Sequence, residues 1–302
     1  HRDRVSEKGV MRRESSYRFG VSEFTTTPWS FERDLERYAA HGVDDIEVCE
    51  FKLNRDDYAP QLQAVSGAGL GVSSVQTTIH SLFVDSLVPA PTDPRDRYDH
   101  IVESIKRIAP HVPPGTPFNI ITGAAPDGNC ERVYEFLLER LPRLADLAAS
   151  FGMTIAFEPL NPILFNSDTA LWGLDRGLEL VERIAHPALG LTCDTWNIFQ
   201  TADVCDVIRR CGDRIFLVQV SDWRRPRSNA DRRCLGDGSI PTGALLSAIR
   251  EAGYDRPYVV EIFSSESLAD SLWKSDLDDV IDRNIVAFER VWNATVAAGA
   301  AG

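Results

Sequence analysis

Four segments of the chain bring an oxygen-bearing side chain into, or to the end of, an otherwise apolar run. They are Phe157-Glu158-Pro159-Leu160, Cys193-Asp194-Thr195, Val218-Gln219-Val220-Ser221-Asp222 and Val260-Glu261-Ile262-Phe263. One such residue alone would cap the next helix or face water. Four on consecutive apolar runs point to a shared task. Three clustered carboxylates repel one another and stay ionised only with a positive group among them. A divalent cation held by Glu158, Asp194 and Glu261, with Gln219 adding a neutral carbonyl oxygen, meets that need. One Mg²⁺ or Mn²⁺ suits an all-oxygen set better than zinc, which prefers nitrogen and sulfur.

The elements that must position these groups repeat one beat. Apolar, β-branched runs at 17–24, 45–51, 71–79, 118–122, 154–159, 189–194, 215–221 and 258–263 alternate with amphipathic stretches of helical period. Ser30 is expected to cap the first helix and Gly42 to stop it; the second ends at Gly67 or Gly69. The others are predicted from beyond Thr92 to Ile108, Glu131 to Ser150, Thr169 to Ile184, Val204 to Cys211, Thr242 to Ala252 and Asp276 to about Asn293. Near-continuous apolar strands belong to a parallel sheet covered on both faces. Eight strand–helix units in 302 residues predict an α/β fold, a single (β/α)8 TIM barrel over 17–296, with its chemistry at the C-terminal strand ends. No glycine-rich phosphate turn supports a nucleotide-binding sheet. Residues 1–16 are expected to be a disordered leader or an addition to the native chain, with Met11 a candidate start, and 297–302 a flexible tail.

Composition narrows the function classes. With 32 Lys plus Arg against 45 Asp plus Glu, the formal charge is −13. Residues 1–16 hold five basic and three acidic side chains, hence +2, which leaves −15 on the remainder. Such a surface repels phosphate backbones and anionic lipid, so neither nucleic acid nor a membrane is an expected partner. No run reaches the ~18 apolar residues of a membrane span. Six cysteines without a close CxxC pair read as free thiols of a reducing cytoplasm.

From about Phe19 to Trp292, and most specifically in its second half, the sequence resembles the xylose-isomerase-like TIM-barrel superfamily. The four segments quoted above carry the resemblance. It implies one divalent metal on Glu158, Asp194, Gln219 and Glu261, and a small polyhydroxylated carbonyl substrate. Its members include tagatose 3-epimerase-type enzymes, hydroxypyruvate isomerases, inosose and 3-dehydroshikimate dehydratases, and endonuclease IV. Many epimerases carry His where this chain has Gln219, and many members carry His where it has Asn197. The histidine-rich metal cluster of endonuclease IV is not matched.

The implied chemistry is isomerisation or epimerisation of a small sugar, ketose or hydroxy-keto acid. Glu158 and Glu261 would remove a proton on one face and return one on the other, through a metal-stabilised enediolate. The same pair suits a dehydratase or lyase on a keto-cyclitol or keto-sugar; a non-catalytic sugar-binding barrel is the third reading. Arg232, ahead of Leu235-Gly236-Asp237-Gly238 at the family's Arg…Pro-Gly-x-Gly spacing, is the expected fork for substrate oxygens. His80, Asn197, Trp196 and Phe263 are further expected substrate contacts. Trp29, Trp223, Glu23 and Glu50 lie near strand ends, whereas Cys193 reads as inert packing. The relatives' habit implies a homodimer or homotetramer.

Overall fold

The computed structural model describes residues 16–228 and 230–300, without the side chains of 298–300. Eight parallel strands close into a barrel: β1 (Phe19–Ser22), β2 (Asp45–Cys49), β3 (Gly71–Gln76), β4 (Pro117–Ile120), β5 (Thr154–Phe157), β6 (Leu189–Asp194), β7 (Ile215–Val220) and, after a small ribbon, β10 (Tyr258–Val260). β10 sits between β7 and β1, completing the ring. The ribbon pairs β8 (Asp222–Trp223) antiparallel with β9 (Arg232–Arg233).

The helices are α1 (Phe31–Ala40), α2 (Ala59–Gly67), α3 (Pro94–Ile108), α4 (Cys130–Ser150), α5 (Leu174–Ile184), α6 (Thr195–Ile198), α7 (Val204–Cys211), α8 (Thr242–Glu251) and α9 (Leu277–Ala300). Side-chain caps fix several starts. The oxygens of Ser30, Asp93 and Asn129 accept the amides of Arg33, Arg95 and Arg132, which the helices leave unpaired. α4 then buries Val133, Leu137, Leu141, Leu144 and Ala148, one face at helical spacing. Removing one of these leucines to Ala would cost about 2–5 kcal/mol.

Observed strands are shorter than the apolar runs, so Glu158 and Glu261 stand just past the ends of β5 and β10. α5 starts at Leu174, later than Thr169. α9 runs to Ala300, beyond the expected end near Asn293 and across the start of the expected tail at 297. The expected leader lies outside the described residues, apart from Ser16.

Strand phase explains why the site is where it is. Side chains two apart on a strand share a face. Ala156, Leu217 and Val259 form a small apolar cluster separate from the main core. Two residues on, in the same phase, come Glu158, Gln219 and Glu261. The barrel interior is thus plugged with apolar groups below and turns polar towards its C-terminal mouth. Gly190 belongs to this plug: a Cβ there would run into the Phe216 ring and the Arg214 carbonyl.

Candidate metal centre

Glu158, Asp194 and Glu261 are buried and each offers a carboxylate oxygen, all within 4.8 Å of one another. Asp194 closes β6 and caps α6, with Oδ1 accepting the Trp196 amide at 3.0 Å. That bond turns its other oxygen towards the cluster.

Amides from neighbouring strands hold the carboxylates. Asn119 on β4 donates to Glu158 Oε2 at 2.6 Å, and Thr192 fixes Asn119 in turn at 2.7 Å. Asn197 Nδ2 donates both to Glu158 Oε1 (2.7 Å) and to Asp194 Oδ2 (2.8 Å). Gln76 and Gln219 each donate to Glu261 Oε1, at 2.5 and 2.9 Å, and both also reach Glu47. Ser74 donates to Glu47 as well, at 2.6 Å.

Burial dominates the electrostatics. It raises the Asp194 carboxyl, which Arg232 pulls back, and raises Glu261 well above the usual carboxylate range. Burial, then the neighbouring Asp194 charge, pushes Glu158 up to about 8. Burial alone would lower Arg232, but Asp194, Glu261 and Glu158 outweigh it and hold that guanidinium protonated. Arg232 Nη1 lies 2.8 Å from Asp194 Oδ2 and 2.9 Å from Glu261 Oε2.

The donor set fits a hard divalent cation. Three clustered carboxylates carry more negative charge than one guanidinium offsets. Gln219 spends its amide nitrogen on Glu47 and Glu261, while its Oε1 is buried with no partner. An unpartnered buried carbonyl oxygen beside three carboxylates could supply such an ion with a fourth oxygen.

Above the cluster lies a cavity of about 130 Å³, bordered by Gln76, His80, Glu158, Arg232, Glu261 and Phe263, with Leu87, Leu160 and Leu164 among its apolar walls. Of the expected substrate contacts, Arg232, His80 and Phe263 therefore border it. Asn197 and Trp196 do not. Asn197 is occupied by the carboxylates, and its Oδ1 accepts the Asn161 amide at 3.0 Å. Trp196 is fully buried beneath Arg232, whose guanidinium carbon sits 4.8 Å from its ring centroid and 5.0 Å from that of Phe263. The short helix α6 turns these two residues inward as soon as β6 ends.

Other singled-out residues serve the scaffold. Glu50 accepts from Tyr58, Thr78 and Ser104, whereas Glu23 accepts the Cys49 amide and lies 4.0 Å from Lys52 Nζ. Trp29 packs under Arg33 and Trp223 against Phe199. Cys193 is buried, where burial pushes its thiol up, and all six cysteines are free. Arg224 and Arg227 are tied to Asp231 and Asp270, so the segment between β8 and β9 is braced by ion pairs. Asp222 gathers the amides of Gly236, Gly238 and Ile240. Gly236 has φ +85°, and a Cβ at Gly238 would overlap Asp222, so this turn requires both glycines.

Sequence reasoning missed Glu47, Gln76 and Asn119. Asn119 did carry a signal, as the one polar residue of β4, but β2 and β3 hold other polar residues, so Glu47 and Gln76 did not stand out.

Comparisons with known proteins agree with this fold. The family model for the xylose isomerase-like TIM barrel matches residues 35–283. A ketose 3-epimerase of Arthrobacter globiformis is 27% identical over 132 residues, 43% of this chain and 42% of that protein. An inosose isomerase of Bacillus velezensis is 22% identical over 245 residues, covering 78% of this chain and 85% of the relative. The chain thus spans less than half of the ketose epimerase but most of the inosose isomerase. Among solved structures, an L-ribulose 3-epimerase superposes with a TM-score of 0.76 at 21% identity, covering 94% of this chain and 97% of that one. The IOLI protein with a bound zinc atom gives 0.71 at 18%, covering 91% and 97%. Among the described residues no helix is long and apolar enough to cross a membrane. By its fold and by the reach of the family model, the chain belongs to the xylose isomerase-like TIM barrel family.

Proposed function

We propose that the protein is a divalent-metal-dependent isomerase or epimerase of a small ketose or hydroxy-keto compound, with Mn²⁺ or Mg²⁺ as its metal. The observation that carries this reading is the meeting of Glu158, Asp194 and Glu261 beside the unpartnered Gln219 oxygen, with Glu158 and Glu261 bordering a cavity. Bound there, a divalent cation polarises a carbonyl and stabilises the negative charge that develops on its oxygen.

The chain's own residues supply the rest. Glu158 and Glu261 both border the cavity, from β5 and β10, with β6 and β7 between them. As carboxylates facing the cavity, each can take a proton from a substrate held there and give one back. One carboxylate removes the proton on the carbon beside the carbonyl, and the other returns a proton from its own side. Asn119 and Asn197 fix both oxygens of Glu158, and Gln76 with Gln219 fixes Oε1 of Glu261, which keeps the pair in position between turnovers. His80 and Phe263 form part of the wall against the substrate, and Leu87, Leu160 and Leu164 give the cavity an apolar side.

Incubation with Mn²⁺ in D₂O, against a panel of free ketoses and keto-inositols, tests this reading. The expected result is deuterium beside the carbonyl together with an isomeric product. Loss of water with an enone absorbance assigns the same site to a dehydratase. Metal-loaded protein that exchanges no candidate contradicts both.

A further inference from the structure

Arg232 Nη1 donates to two of the three carboxylates that would hold the metal, Asp194 through Oδ2 at 2.8 Å and Glu261 through Oε2 at 2.9 Å. It also reaches the Glu261 carbonyl at 3.3 Å. Among the described residues, no other Lys or Arg forms an ion pair with Glu158, Asp194 or Glu261. The guanidinium is buried, held between the Trp196 and Phe263 rings, and fixed in the backbone by Arg232 N donating to the Phe263 carbonyl at 3.1 Å. One side of it borders the cavity.

A second cation entering this cluster meets a like charge at close range, in surroundings that screen poorly. We infer that Arg232 is the counter-cation of the metal-free centre and competes with the metal for Asp194 and Glu261. It holds these carboxylates together when no metal is present. When metal enters, the guanidinium shifts along the two rings towards the cavity and becomes a donor aimed at the substrate. Metal loading thereby precedes the exposure of this donor, which makes binding ordered. The coupling is reciprocal: whatever strengthens Arg232 on the carboxylates weakens the metal. The inference rests on the reading that Glu158, Asp194 and Glu261 hold a metal.

Calorimetric titration of the metal-stripped protein with Mn²⁺ tests it, comparing wild type with Arg232→Met and Arg232→Lys. Arg232→Met, of similar length but neutral, is expected to bind Mn²⁺ at least about tenfold more tightly than wild type. Without metal it should melt lower than wild type, and saturating Mn²⁺ should close that gap. Arg232→Lys keeps the charge and should fall between the two in affinity. Equal or weaker Mn²⁺ binding by folded Arg232→Met overturns the inference while leaving the metal site standing. Should Arg232→Met not fold, the wild type labelled with ¹⁵N-arginine decides. The side-chain resonance missing from Arg232→Lys must move on Mg²⁺ addition, and an unmoved resonance overturns the inference. A wild type that binds neither Mn²⁺ nor Mg²⁺ brings down the metal reading and this inference together.

Discussion

Gln219 is bonded to Glu261 through its amide nitrogen, Nε2 to Oε1 at 2.9 Å, while its carbonyl oxygen is buried without a partner. Leaving such an oxygen unpaired costs about 1–3 kcal/mol, so a fold that keeps it must have a use for it. A cation bound there, as proposed above, would be that use. Replacing Gln219 by Leu, of similar bulk and without the oxygen, is expected to weaken Mn²⁺ binding at least about tenfold. Calorimetry reads the effect directly. Unchanged affinity would remove Gln219 from the ligand set.

The amides behind the carboxylates should matter nearly as much. Asn197 bonds Glu158 and Asp194 together, and Asn119 holds the other oxygen of Glu158. Asn197→Ala and Asn119→Ala are each expected to lower Mn²⁺ affinity about 10–100-fold with the far-ultraviolet circular dichroism intact. A loss of secondary structure instead would show that these residues build the barrel rather than tune the site.

The cavity wall around His80 and Leu87 depends on one buried arginine. Arg97 pairs with Asp85 at 3.0 Å and donates to the carbonyls of Ser81, Val88 and Pro91. Arg97→Met strands the Asp85 carboxylate in the interior, and urea unfolding should show a loss of about 3–5 kcal/mol. A change below about 1 kcal/mol would mean that the loop relaxes and hydrates Asp85.

A second buried cluster predicts how stability varies with pH. Glu23 and Asp34 share Lys52, and one Glu23 oxygen is buried without a partner. Burial, only partly offset by Lys52, raises both carboxyls above their ordinary values. The folded state therefore binds more protons than the unfolded chain. The stability this proton supplies is complete below the unfolded value of about 4.5 and is lost as pH rises through the folded value. Glu23→Gln keeps the shape and removes the titration. Its melting temperature should fall less steeply than that of wild type as pH rises from about 5 to 8. Parallel slopes would show that the proton sits elsewhere.

Much of the architecture was legible in the sequence. Strands buried on both faces leave apolar runs, and caps such as Ser30 mark helix starts, so the alternation could be counted. Glu158, Asp194, Gln219 and Glu261 stood out because a polar atom at the end of an apolar run is expensive without a partner. The layer beneath them did not stand out. Glu47 and Asn119 lie within their strands and Gln76 ends β3, and only the closed barrel brings them into one hydrogen-bonded network with Glu158, Gln219 and Glu261. Trp196 and Asn197 were expected at the substrate because they follow Asp194. The turn of α6 instead directs one under Arg232 and the other onto the carboxylates. The ribbon of β8 and β9 likewise depends on Asp222 gathering amides from a distant turn, a contact that local spacing does not reveal.

The central claim is that one divalent cation is held by Glu158, Asp194, Gln219 and Glu261. Calorimetric titration of stripped protein with Mn²⁺, comparing wild type with the Glu158→Gln/Glu261→Gln double variant, tests it most directly. Wild type is expected to bind one Mn²⁺ per chain. In the folded double variant, affinity should drop by more than about a hundredfold, beyond the range of outer-shell changes. Equal Mn²⁺ affinity in the two proteins would contradict the account.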